Sequence, residues 1–444
     1  MNKHMVLYLI LVLLAVLGLG GMAIAGGIGQ ARVDIQVETL EGDVEQARDL
    51  WLTLPFQADD HTLWETTFSP TGDPAPATDF TYSILSMPPE KDAVATFGGG
   101  RISDSIVASR EIFQTVALLP DQLMTLAREL AEDLEPGQSA GMEFQSEDYT
   151  TYFDFNLSLL VPHGDTYRVY TPPSNALKGY FHIPFPDGTR VSMSVTRSED
   201  GGYFDVLVQP VGADYGFNKN GCVTDGWIYL VLSPADFPEG TDFSQIRGGY
   251  GLYRIPTATD SHELDVGAMQ TVLPLSYAEI EDICVMKSAW DGVLLLLTLE
   301  HGNLRLRLFD EASCTVLEDY TLDSYSSMPQ VVQGENVLLL LSYDVPERSF
   351  LALVREDGQY VPSLRGTLPN KSYRWYDPAV AYRNGHLAFA TLSPDEERPG
   401  LSMEVWIWEE GGEVFYGKFL RAAAWENSIY TSTPLRLSWK EDVG

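Results

Sequence analysis

The sequence predicts an all-β fold, specifically a β-propeller of about six to eight blades, preceded by one N-terminal transmembrane or signal helix. Two observations predict the blades: apolar strands recur towards the C-terminus, and Asp-Gly or Asn-Gly turns precede them. An uncharged stretch over residues 5–29 predicts the helix. We therefore divide the chain into residues 1–29 and one folded region, residues 30–444.

The stretch of residues 5–29 carries no charged side chain over 25 positions, and only four residues precede it. About 20 apolar residues suffice to span a bilayer core, and Lys3 favours keeping the short N-terminal end in the cytoplasm. We expect a single-pass cell-membrane protein whose bulk is extracytoplasmic. Ala23 and Ala25 also form a signal-peptidase pattern, so secretion after cleavage near Ala25 is the alternative.

Composition limits the partners of the chain. It has 63 acidic and 28 basic residues, a net charge of −35, which argues against nucleic acid as a partner. Because 45% of the residues are hydrophobic and 11% are aromatic, we expect a packed core rather than disorder. Cys222, Cys284 and Cys314 allow at most one disulfide; we expect free, buried thiols, with a Cys284–Cys314 bridge as the alternative.

The clearest repeat is a turn, an apolar strand and then an alternating strand. The apolar strands 293–299, 337–343 and 386–392 begin 44 and 49 residues apart. Such continuous apolar strands are covered on both faces, as inner strands of radially stacked sheets are. The remaining predicted strands are 303–309, 350–355, 403–408, 227–233, 248–256, 189–195 and 203–210.

Two helices interrupt the predicted strands. An amphipathic helix lies within an insertion at about residues 119–137, and a shorter one is predicted over residues 43–52. Strands at 32–40 and 434–439 are predicted to pair with each other, because this would close a ring of blades and cover both edges. The amphipathic helix places its apolar residues on one face: Leu123, Leu126, Ala127, Leu130 and Leu134.

Motifs that suggest catalysis fail on context. Residues 137–141 spell GxSxG, but a helix precedes Ser139 and a strand follows it, the reverse of a nucleophile elbow, so we interpret the segment as a turn. The FGGGR sequence at 97–101 lacks the Gly-Lys-Ser/Thr ending of a phosphate loop, and we expect an ordinary loop. His386, in an apolar strand, is expected to be a hydrogen-bonded core residue.

A cluster of oxygen-bearing residues near position 220 resembles a calcium loop only loosely. Its spacing fails the calcium-loop pattern, and a hairpin at NKNG, residues 218–221, explains it equally well. We therefore predict no metal, cofactor or catalytic residue. The residues concerned are Asp214, Asn218, Asn220, Gly221 and Asp225.

Aromatic residues give the one candidate ligand-binding site. In the predicted loop 371–377, aromatic side chains form a platform for a sugar or peptide. A second aromatic group, Trp406, Trp408, Phe415 and Tyr416, is interpreted as packing between blades. The predicted ligand-binding residues are Tyr373, Arg374, Trp375 and Tyr376.

The start of the folded region, VETLEGDVEQARDLWL at 37–52 and TLWETTFSPTGD at 62–73, resembles uncharacterised membrane-anchored, propeller-like envelope proteins of Gram-positive anaerobic bacteria. The resemblance implies a location and an architecture. It carries no activity to any residue of this chain.

Two functions follow as hypotheses. The first is a noncatalytic, membrane-anchored binding or scaffold protein that recognises a protein, peptide or glycan at the cell surface and contacts the lipid bilayer through residues 5–29. The second is a secreted, glycosidase-like hydrolase that uses two carboxylates in the propeller channel. We favour the first, in which the protein is not an enzyme.

Overall fold

The computed structural model describes residues 8, 10–18, 20–21, 34–59, 62–73, 75–82, 92–100, 102–107, 121–149, 151–163, 166–173, 176–211, 217–257, 263–342, 348–368, 376–394, 401–422 and 435–440. This part is mostly β and forms antiparallel sheets, which confirms the all-β class. The chain divides into two compact units, one of residues 1–91, 164–166 and 329–444, and one of residues 92–163 and 167–328.

The strands are named in chain order. They are β1 (Asp34–Gly42), β2 (Leu50–Asp59), β3 (Thr62–Phe68), β4 (Ala77–Tyr82), β5 (Val94–Gly100), β6 (Ile102–Val107), β7 (Ser139–Gln145), β8 (Asp154–His163), β9 (Thr166–Tyr170), β10 (Arg190–Arg197), β11 (Tyr203–Pro210), β12 (Phe217–Val223), β13 (Trp227–Leu230), β14 (Gly251–Pro256), β15 (Gln270–Pro274), β16 (Ile280–Lys287), β17 (Val293–Glu300), β18 (Asn303–Asp310), β19 (Val316–Ser324), β20 (Gln330–Gln333), β21 (Val337–Leu341), β22 (Arg348–Glu356), β23 (Gln359–Leu368), β24 (Tyr376–Arg383), β25 (His386–Pro394), β26 (Leu401–Glu409), β27 (Gly412–Ala422) and β28 (Arg436–Trp439). The α-helices named here are α1 (Asp121–Ala131) and α2 (Ala176–Phe181). Short 3-10 turns also occur at Val44–Ala47, Pro234–Asp236 and Val266–Ala268.

Three sheets build the first unit. One is a simple meander in which chain neighbours are hydrogen-bonded, and each of the other two is a meander extended by one end strand. Their strand orders are β20-β21-β22-β23, β1-β27-β26-β25-β24 and β28-β2-β3-β4. Alternation along β25 explains how the middle sheet packs. Leu387 and Phe389 belong to a core shared with β21 and β22, whereas Ala388 and Ala390 belong to a core shared with β2 and β3. The sheet is therefore covered on both faces, as its continuous apolar strands predict.

Both ends of the folded region enter sheets, but not by pairing with each other. β1 pairs with β27, with Ile35 opposite Arg421, while β28 pairs with β2, with Leu50 opposite Trp439. The predicted pairing of 32–40 with 434–439 is therefore wrong. The physical reason is that β1 and β2 lie in different sheets, so each end strand fills the open edge of a different neighbour.

Gly42 makes the turn out of β1 possible. Its φ is +75°, and a Cβ there would lie 2.0 Å from the carbonyl oxygen of Val414. Only glycine fits both the backbone conformation and the close approach to β27. The 3-10 turn that follows is the only helical part of 43–52, since β2 begins at Leu50; the helix predicted there is otherwise wrong.

The second unit contains one meander and two sheets with crossovers. Their orders are β16-β17-β18-β19, β6-β11-β10-β7 and β15-β14-β13-β12-β5-β8-β9. β12 changes partner along its length: Phe217 to Gly221 pair with β5, and Cys222 and Val223 pair with β13. β12 therefore joins the two halves of the seven-stranded sheet.

Helix α1 packs its apolar face on β10 and β7, which confirms the predicted amphipathic helix. Leu123, Leu126 and Ala127 are buried on that face, and Leu130 and Leu134 are half-buried beside them. The chain then turns at Gly137, but Ser139 to Gly141 already belong to β7, so only the start of the GxSxG segment is the turn that we predicted.

A predicted loop and a predicted hairpin turn are strand segments instead. Phe97 to Gly100 of the FGGGR sequence belong to β5, and residues 218–221 of the NKNG sequence belong to β12, where they pair with β5. Glycine allows these segments to approach each other closely, because a Cβ at Gly221 would lie 3.2 Å from that of Ala95. Asp214, from the calcium-like cluster, lies outside the described residues.

Residues 10–18 are helical. Among the residues that the structure describes, no helix reaches the length and apolar character needed to cross a membrane. The anchor over residues 5–29 stays a prediction, since residues 5–7, 9, 19 and 22–29 lie outside that description.

Candidate functional site

The predicted aromatic platform is only partly within the described chain. Tyr373, Arg374 and Trp375 lie outside it. Tyr376 begins β24, where its backbone pairs with Leu392, and its side chain is outside the description. Ligand binding by these four residues stays a prediction.

The second aromatic group packs in the core, as we interpreted it. Trp406 is 3% exposed, and its ring stacks on Tyr416 with centroids 4.9 Å apart. Trp408 lies beside Trp406 and contacts Phe350 of β22, with ring centroids 4.8 Å apart. Phe415 is fully buried on the opposite face. These rings hold neighbouring sheets together and leave no surface for a ligand.

The remaining sequence candidates occupy structural positions. Ser139 is exposed, and its hydroxyl lies 2.9 Å from that of Thr196 on β10. His386 is hydrogen-bonded as predicted, with Nε2 2.7 Å from Glu409 Oε1, but it is half-exposed rather than buried in the core. All three cysteines are free, so the alternative Cys284–Cys314 bridge is absent. Within the described ranges, no group of His, Cys, Asp and Glu is arranged to hold a metal ion.

A pocket of about 160 Å³ lies in the second unit, between β12 and β13 on one side and β16 on the other. Aliphatic and aromatic side chains dominate its wall, and Lys219 supplies its charged group. The lining residues are Phe97, Lys219, Gly221, Tyr229, Leu230, Val231, Ile283, Cys284 and Val285.

The strand arrangement explains why this space stays open. β16 is an edge strand of its own sheet, and it lies beside β12 without pairing with it. β12 leaves β5 for β13 at Gly221, directly at the pocket wall. A Cβ at Gly221 would lie 2.8 Å from a methyl carbon of Leu230, so glycine lets that leucine reach the wall.

An ion pair lies beside the pocket. Lys219 Nζ is 2.6 Å from Asp236 Oδ2, and the two side chains are 37% and 21% exposed. Burial raises the pKa of the Asp236 carboxyl, and the nearby Asp282 raises it further, while Lys219 acts in the opposite direction. Burial therefore favours the protonated form of Asp236, and the ion pair with Lys219 favours the ionised form.

Ser233 fixes the loop that carries Asp236. Its hydroxyl donates to Asp282 Oδ1 on β16, and the same oxygen accepts from the backbone N–H of Ile283 at 2.8 Å. Ser233 Oγ also accepts from Ala235 N–H, capping the 3-10 turn Pro234–Asp236. This chain of bonds joins the loop to β16 and holds Asp236, the partner of Lys219, in the same region as Asp282.

The reactive groups of the wall are held in their neutral forms. Burial raises the pKa of the Cys284 thiol to about 12, and the Asp282 carboxylate adds to this effect. Burial also raises the pKa of Tyr229, whose hydroxyl donates to the Glu311 carbonyl at 2.8 Å. A protonated thiol is a poor nucleophile. The arrangement suits noncovalent binding of an apolar group next to charged side chains.

Comparisons with known proteins do not identify a family. No family model and no curated protein matches the chain. Among solved structures, the WD40 domain of SCAP from fission yeast is similar at a TM-score of 0.31 and 8% identity, over 90% of this chain and 91% of that one. TolB from Acinetobacter baumannii gives a TM-score of 0.24 and 10% identity, over 88% and 83% of the two chains.

Hydrazine synthase from Kuenenia stuttgartiensis gives a TM-score of 0.25 and 13% identity, over 55% of this chain and 66% of that one. Similarity this low carries no argument about function, and the account depends on the sheets and side chains of the chain itself.

Sequence reasoning missed most of this pocket. Asn218, Asn220 and Gly221 drew attention as a calcium-like cluster, whereas the side chain that matters in that segment is Lys219. Asp236 and Ser233 lie in a loop interpreted only as an insertion. The only signal in the sequence was Lys219 itself, which lies between two asparagines and is followed by Gly221. That signal does not reveal that β16 lies opposite.

Proposed function

We propose that this chain is a noncatalytic, membrane-anchored extracytoplasmic binding protein with β-propeller-like architecture, whose pocket at β12, β13 and β16 receives an apolar group of a partner. The partner class is a protein, peptide or glycan of the cell surface. The observation that carries the proposal is the pocket itself: an apolar wall beside an ordered set of charged groups, with its cysteine held as a thiol.

The sheets of the first unit support the propeller-like architecture. Each of its three sheets contains a meander, two of them extended by one end strand, and the β24–β27 meander is covered on both faces. The first strand of that meander, β24, lies beside β20 of one neighbouring sheet and β28 of the other. Sheets stacked face to face with their first strands adjacent are typical of blades around an axis.

The N-terminal helix supports the anchor. Within residues 10–18, Leu13, Leu14 and Leu17 are 58%, 60% and 62% exposed. Apolar side chains in this number are unfavourable in water, and a bilayer would cover them. β1 begins at Asp34, so the folded region starts directly after the proposed anchor.

The volume of the pocket sets the size of the group that it receives. About 160 Å³ is close to the ~150 Å³ of an apolar protein cavity that takes up benzene or xenon. A phenyl ring or a branched aliphatic side chain of a partner therefore fits, and burying it there removes apolar surface from water.

Nuclear magnetic resonance with a neutral aromatic probe tests the proposal. Titration of benzyl alcohol into the folded region, with methyl-labelled Leu, Val and Ile, should shift the resonances of Leu230, Val231, Ile283 and Val285. Cys284→Leu, whose branched side chain takes up part of the pocket, should abolish these shifts, and Cys284→Met should weaken them. Cys222→Val changes another buried cysteine outside the wall and should leave them intact. Shifts that survive in a folded Cys284→Leu protein would refute the site.

One observation favours the alternative hydrolase. Asp236 has the raised carboxyl pKa of a general acid, and Asp282 is close enough to influence it. A glycosidase acting here would lose glycan hydrolysis completely in both Asp236→Asn and Asp282→Asn. If the wild type hydrolyses no glycan, or if both variants hydrolyse glycan as fast as the wild type, binding remains the proposed function.

A further inference from the structure

We infer that the pocket selects a cationic partner group: an organic amine, such as a lysine-like or arylalkyl amine, whose apolar portion enters the cavity while its ammonium meets Asp236 and Asp282. This rests on the proposed binding function and adds the chemical class of the ligand. Neutral and anionic groups of the same shape bind more weakly.

The balance of charge beside the pocket is the first argument. Lys219 pairs with Asp236, and Asp282 lies close enough to Asp236 to raise its pKa, so this group of three side chains has one negative charge in excess when all are ionised. Both Asp282 and Lys219 act electrostatically on the Cys284 thiol inside the wall, so this charge is felt within the pocket. A bound cation would balance it.

Open acceptor capacity is the second argument. Asp236 engages Lys219 through Oδ2, and Asp282 accepts the Ser233 hydroxyl and the Ile283 N–H through Oδ1. Within the described ranges, Asp236 Oδ1 and Asp282 Oδ2 receive no donor. An ammonium carries three donors and no acceptor, so it can donate a hydrogen bond to each of these two carboxylate oxygens.

The cost of binding an anion is the third argument. A carboxylate ligand would have to draw Lys219 away from Asp236, whose pKa burial already raises. That leaves a partly desolvated carboxylate without its cation, and breaking such a pair is strongly unfavourable. An amine leaves the Lys219–Asp236 pair in place. The net charge of −35 also concentrates cations near the surface at low salt.

A series of three probes of one shape tests the inference: benzylamine, benzyl alcohol and benzoate, titrated by calorimetry into the folded region at neutral pH. Benzylamine should bind about tenfold or more tightly than benzyl alcohol, since it adds charge-assisted hydrogen bonds, and benzoate should bind most weakly. Raising the salt concentration should weaken the binding of benzylamine and leave the binding of benzyl alcohol unaffected.

Variants separate this inference from the proposed function. Asp282→Asn should remove most of the preference of the pocket for benzylamine over benzyl alcohol. The control is Asp242→Asn. Asp242 lies in the same loop, and its carboxylate accepts hydrogen bonds from Ser244 in its own turn, so this variant should preserve the preference for benzylamine. Equal or tighter binding of benzyl alcohol or benzoate overturns the cationic preference while the binding site stands. Failure of all three probes to bind overturns both.

Discussion

Lys219 of β12 and Asp236 of the 234–236 turn form an ion pair with Nζ and Oδ2 2.6 Å apart, beside a pocket whose wall is otherwise largely apolar. The pair spans two parts of the chain that no sequence motif connects. Lys219 opposes the rise in the Asp236 pKa that burial causes, and the bond from Ser233 to Asp282 holds the turn beside β16. This relationship distinguishes the pocket from a simple packing gap.

The stacked tryptophan of β26 should dominate the stability of the first unit. Trp406→Ala removes a 3% exposed ring stacked on Tyr416, and should lower the free energy of unfolding by about 3–5 kcal/mol. Urea denaturation measures it. Leu317→Ala, at a side chain 52% exposed, is the control and should change stability by about 0.5 kcal/mol or less. A Trp406→Ala loss as small as the control would show that the ring is not packed.

The buried arginine of β18 should be indispensable. Arg307 is 8% exposed, with Nη2 2.7 Å from Glu300 and Nη1 3.0 Å from Thr298. Arg307→Ala leaves Glu300 partly buried without its closest cation, and should cost about 3–5 kcal/mol. Arg190→Ala breaks an exposed pair with Glu143 and should cost at most about 1 kcal/mol. Equal losses in thermal or urea unfolding would contradict the buried network.

The turn at Gly42 should be intolerant of a side chain. Gly42→Ala combines a positive φ with a clash against the Val414 carbonyl, whereas Gly72 has φ +76° and open space around a Cβ. Both alanines incur the cost of the left-handed conformation, so their difference isolates the clash, about 1–3 kcal/mol. Hydrogen exchange should show faster opening of β1 in Gly42→Ala alone. Identical behaviour of the two variants would mean that β1 does not approach β27 closely.

Acid should stabilise the end of β1. Partial burial and the adjacent Glu41 carboxylate raise the pKa of Glu413 on β27 to about 7. The folded chain therefore binds this proton more tightly than the unfolded chain, so the contribution is full below about pH 4.5 and disappears as pH rises through about 7.

The melting temperatures of wild type and Glu413→Gln, measured across that pH range, should change with pH at different slopes. The reason is that Gln cannot ionise and still donates to Glu41. Glu410→Gln, at the exposed turn before β27, should follow the wild type. A Glu413→Gln protein with an unchanged slope would exclude the Glu41–Glu413 pair as its source.

Periodicity predicted the strands well where burial is two-sided. The runs at 293–299 and 386–392 became β17 and β25 because strands with apolar residues at successive positions need cover on both faces. Residues 97–101 were predicted as a loop and residues 218–221 as a hairpin, because glycine permits turns. In the structure both segments are strands, and glycine allows them to approach closely.

Pairing between distant segments was the least predictable feature. The alternation of 32–40 and 434–439 specified two strands correctly, but nothing in either segment identifies its neighbour. The pocket could not be predicted from the sequence for the same reason. Lys219, Asp236 and Cys284 come from three separated segments, and their proximity follows from β12 lying beside β16.

A crystal structure of the folded region soaked with benzylamine tests the central claim most directly. The account predicts difference density for a ring in contact with Leu230 and Cys284, with its ammonium within hydrogen-bonding distance of Asp236 or Asp282. A pocket that remains without that density at a saturating benzylamine concentration, or a ring bound only elsewhere on the protein, would contradict it.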